Sequence, residues 1–286
     1  MGQMSLPQAS CRASLPDDPE PASLAVELRG IEYLIAGEDA PGLPILFLHG
    51  LGGDASNWQP QLDELGALHR CIAWTMPGYG TSAPLIQPSF VALAAAAVDL
   101  LDGLGCETAC VVGLSLGGYV AQQLVLDHPD RVERLVLCAT TSAFGKPGSS
   151  FNEEFLASRL APLDLGETPA TMASQVVRDL VGPAPHGGAE LNAVASMQRI
   201  TPDAYRQALK TLVTWDARDA VASIATRTLC IAGADDATAP VRAMQRLADA
   251  IPNATLEVLV DCGHLLNLER PREFNHILRA FLGVSS

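Results

Sequence analysis

The chain has 286 residues, of which 48% are hydrophobic and 17% charged, so it can bury a large core. Its formal net charge is −14, which argues against a nucleic acid or an anionic membrane as a partner. The seven cysteines form no C-x-x-C pair, no apolar run is long enough to span a membrane, and the N-terminus lacks the apolar core of a signal peptide. We therefore expect a cytoplasmic protein with reduced cysteines and no metal site.

Strand-like and helix-like patterns alternate along most of the chain after an N-terminal segment, residues 1–22, whose Pro, Ser and Asp content predicts a flexible tail. The apolar runs predict strands at 25–29, 32–35, 43–48, 70–76, 109–112, 132–138, 228–232 and 255–260. Helical periodicity or capping residues predict helices at 56–65, 89–104, 118–127, 240–251 and 271–281. This alternation predicts the α/β class, with a mostly parallel central sheet covered by helices on both faces.

The alternation stops between residues 141 and 216. This segment has helical patterns interrupted by Gly and Pro, and no convincing buried strand. We therefore predict a helical lid, residues 141–216, inserted into a body formed by residues 23–140 and 217–286.

The strongest chemical signal is the G-x-S-x-G pattern at residues 113–117. It follows an apolar strand run and precedes a helical pattern, which is the context of a nucleophile elbow rather than of a chance match. Gly113 and Gly117 leave room for a tight turn and tolerate unusual backbone angles. The pattern predicts Ser115 as a nucleophile at the head of a helix.

A serine hydroxyl needs a base, and the base needs an orienting partner. His264 follows a predicted strand and precedes the last helix, and residues at the carboxyl ends of parallel strands commonly form sites. Asp235 and Asp236 also lie between a strand and a helix, so either can supply the orienting acid. We predict His264 as the base.

These motifs, in the order Ser, Asp, His, resemble those of the α/β-hydrolase fold family over nearly all of residues 25–283. The family places its acid at the fourth position of G-x-x-D-x-x-x-P, which implies Asp236 rather than Asp235. His49-Gly50-Leu51-Gly52-Gly53 resembles the family's oxyanion-hole loop. The resemblance implies that the backbone N–H groups of Leu51 and Leu116 stabilise the oxyanion.

The resemblance also limits the reaction. A serine at the elbow argues against haloalkane dehalogenases and epoxide hydrolases, which use Asp there. Residues 216–219 and 262–271 are most similar to the 3-oxoadipate enol-lactonase group. We therefore expect a cofactor-free serine hydrolase that cleaves a small-molecule carboxylic ester or lactone, such as 3-oxoadipate enol-lactone, through an acyl-enzyme. The alternatives are a ligand receptor with vestigial catalysis and a cofactor-free oxygenase on the same fold.

Two features of the predicted site depend on tertiary structure. Thr75 stands where the family usually has a structural Asp, which puts the hydrogen bonding of the following loop in doubt. Trp58 and Trp215 are candidates for the substrate pocket, although a plain core position is equally consistent with an indole. A carboxylate-bearing lactone would also require a cation near the pocket, and the lid contains several arginines and lysines.

Overall fold

A computed structural model describes residues 24–146, 148–185 and 187–283. The predicted tail, residues 1–22, lies outside these ranges, as do Pro147 and His186. In the described residues the strands are β1 Leu24–Leu28, β2 Ile31–Ala36, β3 Gly42–Leu48, β4 His69–Trp74, β5 Ala109–Leu114, β6 Val132–Cys138, β7 Arg227–Gly233 and β8 Ala254–Leu259. Each corresponds to a predicted strand.

The eight strands form one sheet in the order β1-β2-β4-β3-β5-β6-β7-β8. Strands β1 and β2 are antiparallel to their neighbours, and all later pairs are parallel. Every residue of the central strand β5 is buried, as its unbroken apolar run predicts. The predicted α/β class with a mostly parallel sheet is confirmed.

Five helices of the body correspond to predicted helices: α1 Gln59–Leu65, α2 Phe90–Gly103, α3 Leu116–Asp127, α8 Val241–Ala250 and α10 Pro271–Leu282. The body also contains α9 Leu266–Glu269, and the insertion contains α4 Ser150–Asp164, α5 Pro169–Arg178, α6 Ala189–Gln198 and α7 Pro202–Leu212. The start predicted at residue 56 was wrong, because Asp54 caps a 3-10 helix, Ala55–Trp58, and α1 begins only after it, at Gln59. The short helix α9 was not predicted.

Helices α4–α7 lie between β6 and β7, and they occupy the segment predicted as a lid. An isolated antiparallel bridge between Ala143 and Asp216 joins the two ends of this insertion. Arg199 of the insertion also contacts the body, where it forms a salt bridge of 2.6 Å with Asp54. Asn57 adds a hydrogen bond of 2.6 Å to Asn192 of α6. The insertion is therefore attached to the body by polar contacts as well as by chain connectivity.

The six cysteines of the described ranges are buried and form no disulfide. Burial raises the pKa of the Cys71, Cys110 and Cys230 thiols to about 12, so these groups behave as small apolar side chains. None of the helices described is long and apolar enough to cross a membrane.

Candidate active site

Ser115 lies at the sharp turn between β5 and α3. Its backbone has φ 54° and ψ −116°, a conformation that L-residues rarely adopt. Two hydrogen bonds fix this turn: the Ser115 N–H donates to the Cys138 carbonyl at 2.9 Å, and the Ser115 carbonyl accepts from Thr140 Oγ1 at 2.9 Å. The strand–turn–helix context predicted for the G-x-S-x-G pattern is confirmed.

The glycines of the pattern are required by close approach rather than by backbone angle. A Cβ on Gly113 would overlap the Gly117 carbonyl, and one on Gly117 would overlap the Leu48 carbonyl. Neither glycine has a positive φ, so the unusual backbone angle predicted for them belongs to Ser115 instead. The turn can therefore bring the serine close to the end of β3.

His264 and Asp236 form a buried pair. The His264 Nδ1 lies 2.7 Å from Asp236 Oδ2, and the two side chains are 6% and 0% exposed. Asp235 is exposed, and its backbone N–H, not its carboxylate, is hydrogen-bonded: it donates to the Cys262 carbonyl. Of the two candidate acids, Asp236 is the one in contact with His264.

The environment of Asp236 favours its ionised form. Burial alone would raise its pKa, but the His264 ring and the N–H groups of Ala239 and Thr238 outweigh this effect and lower the pKa below its usual value. Thr238 and Ala239 donate to Oδ1 at 2.7 and 3.0 Å, so Oδ2 is left for the histidine. A carboxylate held in this way orients His264 with Nδ1 toward the acid and leaves Nε2 for another partner.

Glu269, which was not singled out from the sequence, fixes the backbone on both sides of His264. Its fully buried carboxylate accepts N–H groups from Gly263 and Leu265, each at 2.9 Å, and from Gly182 of the insertion at 2.7 Å. The His264 N–H in turn donates to the Leu180 carbonyl at 2.8 Å. The only sequence signal was an acidic residue within the otherwise mainly apolar segment 265–269.

Two backbone N–H groups near Ser115 have no acceptor among the described residues. Leu116 is the first residue of α3, so its N–H lacks a helical partner, and the Leu51 N–H donates no hydrogen bond to any described residue. Gly50 is packed against the serine: a Cβ placed on it would be 3.3 Å from Ser115 Cβ and 3.9 Å from its Oγ. The loop that contains Leu51 therefore lies directly beside the serine hydroxyl.

Side chains hold both peptide groups that flank Leu51. His49 Nε2 accepts the Met76 N–H at 2.9 Å, so Nδ1 carries the proton and donates to the Gly50 carbonyl at 2.8 Å. Burial lowers the pKa of His49, which favours this neutral form. Tyr79 donates to the Leu51 carbonyl at 2.7 Å. The Leu51 N–H is thus fixed in direction, because it belongs to the same peptide plane as the Gly50 carbonyl.

The loop after β4 keeps its hydrogen bonds although Thr75 replaces the usual acid. Glu32, on the neighbouring strand β2, accepts from Thr75 Oγ1 at 3.2 Å and from the Thr81 N–H at 2.7 Å. Ser82 closes the loop by donating to the Thr75 carbonyl at 2.7 Å. A carboxylate from an adjacent strand therefore anchors this loop.

Ser115 and His264 line one cavity of about 280 Å³, and half of its lining residues come from the insertion. Among the described residues, the wall contains no Asp or Glu. It is mainly apolar, and its large apolar and aromatic side chains are Leu51, Tyr119, Phe144, Phe151, Phe155, Val176, Val177, Leu180, Met197, Tyr205, Leu212, Leu265 and Leu268. A cavity of this size and composition suits a small organic molecule with a large apolar part.

Neither predicted tryptophan lines this cavity. Trp58 is fully buried in the core, where its ring lies 4.9 Å from Phe47 and 6.1 Å from Phe274. Trp215 stacks on Tyr119 at 5.5 Å, so it supports a wall residue from behind. The pocket role predicted for both indoles was therefore wrong, because each ring packs against other aromatic rings instead of lining the cavity.

The mostly parallel sheet, the strained serine after its central strand and the buried acid–histidine pair define the class of protein. The sequence profile of the Alpha/beta hydrolase family matches residues 45–277. The chain therefore belongs to this family, as its motifs predicted.

Individual relatives cover nearly the whole fold. A protein of Variovorax paradoxus, named provisionally as the carbamate hydrolase RutD, is 33% identical over 267 residues, which are 88% of this chain and 96% of that protein. Among solved structures, a thermophilic esterase from Thermogutta terrifontis has a TM-score of 0.80 at 26% identity, with 91% of this chain and 96% of that chain covered. The enol-lactonase from Burkholderia xenovorans LB400 has a TM-score of 0.79 at 26% identity, with 91% and 100% covered.

Proposed function

We propose that this protein is a cofactor-free serine hydrolase that cleaves a small carboxylic ester or lactone, an enol-lactone among them, through an acyl-enzyme. The observation that carries the proposal is the cavity shared by the strained Ser115 and by His264, whose Nδ1 is held by Asp236. Esterase and enol-lactonase structures among its structural relatives support the same class of reaction.

In the first half of the reaction, Ser115 Oγ attacks the substrate carbonyl and its proton passes to His264 Nε2. The N–H groups of Leu51 and Leu116 donate to the carbonyl oxygen as it becomes an anion. The tetrahedral intermediate then collapses, the C–O bond to the leaving alcohol breaks, and His264 returns the proton to that alcohol. In a lactone the leaving alcohol remains part of the acyl chain.

In the second half, water takes the place of the alcohol. His264 accepts a proton from the water, whose oxygen attacks the acyl carbon, and the same two N–H groups stabilise the second oxyanion. Proton return to Ser115 Oγ releases the carboxylic acid. Asp236 stays ionised throughout and stabilises the imidazolium that forms in each half-reaction.

Ser115→Ala tests this assignment. Removal of the nucleophile should lower kcat for 4-nitrophenyl butyrate by roughly 10⁴–10⁶, because only binding and oxyanion stabilisation remain. A fluorophosphonate should label the wild type at Ser115 and should leave the variant unlabelled. Ser223→Ala, at an exposed serine, is the matched control.

Labelling at another serine, or near-normal turnover by Ser115→Ala, would exclude this nucleophile. A stoichiometric burst without turnover would indicate a receptor with vestigial catalysis. Oxygen uptake with a heterocyclic phenol would indicate the oxygenase instead.

A further inference from the structure

Helix α6 of the insertion packs directly against residues 49–53, the loop that contains Leu51. A Cβ placed on Gly52 would lie 3.7 Å from Met197 Sδ, so this side chain of α6 covers the loop. The neighbouring residue, Ser196, is fully buried, and its Oγ lies 3.2 Å from the Gly52 carbonyl oxygen. A hydroxyl of the insertion is therefore within hydrogen-bond distance of the main chain beside the proposed oxyanion donor.

The Ser196 hydroxyl has one proton and two carbonyl oxygens within reach. The Ala193 carbonyl, at 2.9 Å, lies inside α6, where carbonyls accept helical N–H groups. The Gly52 carbonyl accepts a hydrogen bond from no other described residue. The Gly52 carbonyl gains more from the proton, because a polar group left without a partner costs more than a second bond to a paired group returns.

Asn57 fixes the direction of this hydrogen bond. Its Oδ1 accepts the Asp54 N–H at 3.1 Å, so its Nδ2 is free to donate. Nδ2 donates to Ser196 Oγ at 3.1 Å and to Asn192 Oδ1 at 2.6 Å. Because Ser196 Oγ accepts this bond, its own proton is directed away from Asn57 and toward a carbonyl.

From Gly52 the hydrogen bonds continue through the loop to the Leu51 N–H. The Gly52 carbonyl and the Gly53 N–H belong to one peptide group, and this N–H donates to the Gly50 carbonyl at 3.1 Å, which closes a four-residue turn. The Gly50 carbonyl in turn shares its peptide group with the Leu51 N–H. Since the carbonyl and the N–H of a trans peptide point in opposite directions, each bond accepted on one side directs the N–H on the other.

All of these bonds run the same way. Asn57 donates to Ser196, Ser196 to the Gly52 carbonyl and the next peptide group to the Gly50 carbonyl. Hydrogen bonds in such a chain polarise one another, and they do so most where water is excluded. The chain ends at the Leu51 N–H, which has no acceptor among the described residues and lies in the loop packed against Ser115.

We infer that Ser196 is a positioning residue of the oxyanion hole: its hydroxyl orients and polarises the two peptide groups that end at the Leu51 N–H. Packing of α6 on the loop therefore strengthens a donor that belongs to the body. The inference rests on the proposed function and gives the insertion a part in stabilising the transition state, beyond forming the cavity wall.

Ser196→Ala and Ser196→Cys distinguish a hydrogen-bond donor from a residue that only fills space. Alanine removes the hydroxyl, whereas the thiol of cysteine occupies a similar volume and is a weak donor. Both variants should lower kcat for 4-nitrophenyl butyrate roughly 10-fold, because one hydrogen bond in the chain is lost. KM should change little, since the effect acts on charge that develops in the transition state. Removal of a direct oxyanion donor would cost more, roughly 10²–10³-fold.

Ser158→Ala is the matched control. Ser158 is an exposed residue of α4, outside the cavity wall, and it donates to the Phe155 carbonyl three residues earlier at 2.8 Å. The control thus removes the kind of bond that Ser196 makes if its proton is directed to Ala193, and kcat should not change. Wild-type kcat in Ser196→Ala would assign the proton to Ala193, and wild-type kcat in Ser196→Cys alone would make Ser196 a packing residue. Either result would overturn the inference.

A ketone inhibitor reports on the oxyanion hole itself. Ser115 Oγ adds to the carbonyl carbon of 1,1,1-trifluoropentan-2-one, the serine proton passes to His264, and the former carbonyl oxygen becomes the anion. The inhibition constant should rise in Ser196→Ala by about the factor lost in kcat, because the adduct resembles the transition state. A reduced kcat with an unchanged inhibition constant would show that Ser196 acts elsewhere in the reaction, and the inference would fall.

The NMR signal of the Leu51 amide tests the chain without any reaction. Weaker polarisation of this peptide group should move the signal upfield in Ser196→Ala and leave it in place in Ser158→Ala. If kcat, the inhibition constant and the Leu51 signal all stay unchanged in Ser196→Ala while the wild type turns over, the chain alone is refuted. An upfield shift without turnover of any ester by the wild type would refute the proposed reaction and leave the chain standing.

Discussion

At the residue scale, Ser115 is held in a conformation that costs on the order of 1–3 kcal/mol for a non-glycine residue. The surrounding turn maintains it, because the Ser115 N–H is bonded to the Cys138 carbonyl and its own carbonyl accepts from Gly118 at 2.9 Å. The consequence is a serine side chain directed toward Gly50 and the cavity rather than into the sheet.

The two neighbouring aspartates give a prediction at this scale. Asp236→Asn should lower kcat by about 10⁴, because an asparagine at this position favours the wrong tautomer of His264. Asp235→Asn is the matched control and should change kcat little, since Asp235 is exposed and its side chain forms no hydrogen bond with any described residue. Steady-state kinetics with 4-nitrophenyl butyrate, together with circular dichroism to verify folding, checks both variants. The reverse ranking would show that the acid is Asp235.

At the element scale, the loop between β8 and α9 depends on one buried acid. Glu269 joins three N–H groups, two beside His264 and one in the insertion, so it ties the position of the histidine to the chain around Gly182. A carboxylate can serve three donors because both of its oxygens only accept.

Glu269→Gln should disrupt this arrangement. The amide NH₂ would face at least one N–H group, and a buried donor without an acceptor costs about 1–3 kcal/mol. We expect a lower melting temperature and a kcat reduced roughly 10-fold, since misplacement of a catalytic group slows the reaction. Glu273→Gln, at an exposed acid of α10, is the control for thermal unfolding and kinetics. Unchanged stability and kcat in Glu269→Gln would show that the three bonds are dispensable.

At the scale of the whole molecule, the body and the insertion have separate parts in the site. The body supplies Ser115, Asp236 and His264, whereas the insertion supplies half of the cavity wall. We therefore expect the insertion to act as a lid that excludes water and selects the substrate, while the chemistry stays in the body.

Phe151→Ala tests this division without replacing the whole insertion. Phe151 lines the cavity and is 57% exposed, so its truncation should enlarge the cavity with little loss of stability. The ratio of kcat/KM for 4-nitrophenyl octanoate to that for the butyrate should rise roughly 10-fold, while fluorophosphonate labelling of Ser115 persists. Leu191→Ala, at an exposed leucine of α6 outside the cavity wall, is the control.

An unchanged substrate profile in Phe151→Ala and in several folded chimeras with a relative's insertion would show that the body sets selectivity. A changed profile with loss of labelling would show instead that the insertion is required to assemble the catalytic groups.

The sequence alone determined the alternation of strands and helices and the elbow around Ser115. These features are local: burial of β5 requires a continuous apolar run, and a tight turn requires small residues within a few positions. The family pattern also distinguished Asp236 from Asp235, in agreement with the 2.7 Å contact between Asp236 and His264.

Only the tertiary structure decided which distant side chains meet. Nothing in the local pattern distinguishes Trp58, packed between Phe47 and Phe274, from an indole in a pocket. The same holds for Arg159 and Tyr205, which lie on different helices of the insertion and line one cavity. Periodicity shows which face of a helix is buried, but the packing of helices against one another decides whether that face meets the core or a cavity, and packing depends on contacts between residues far apart in the chain.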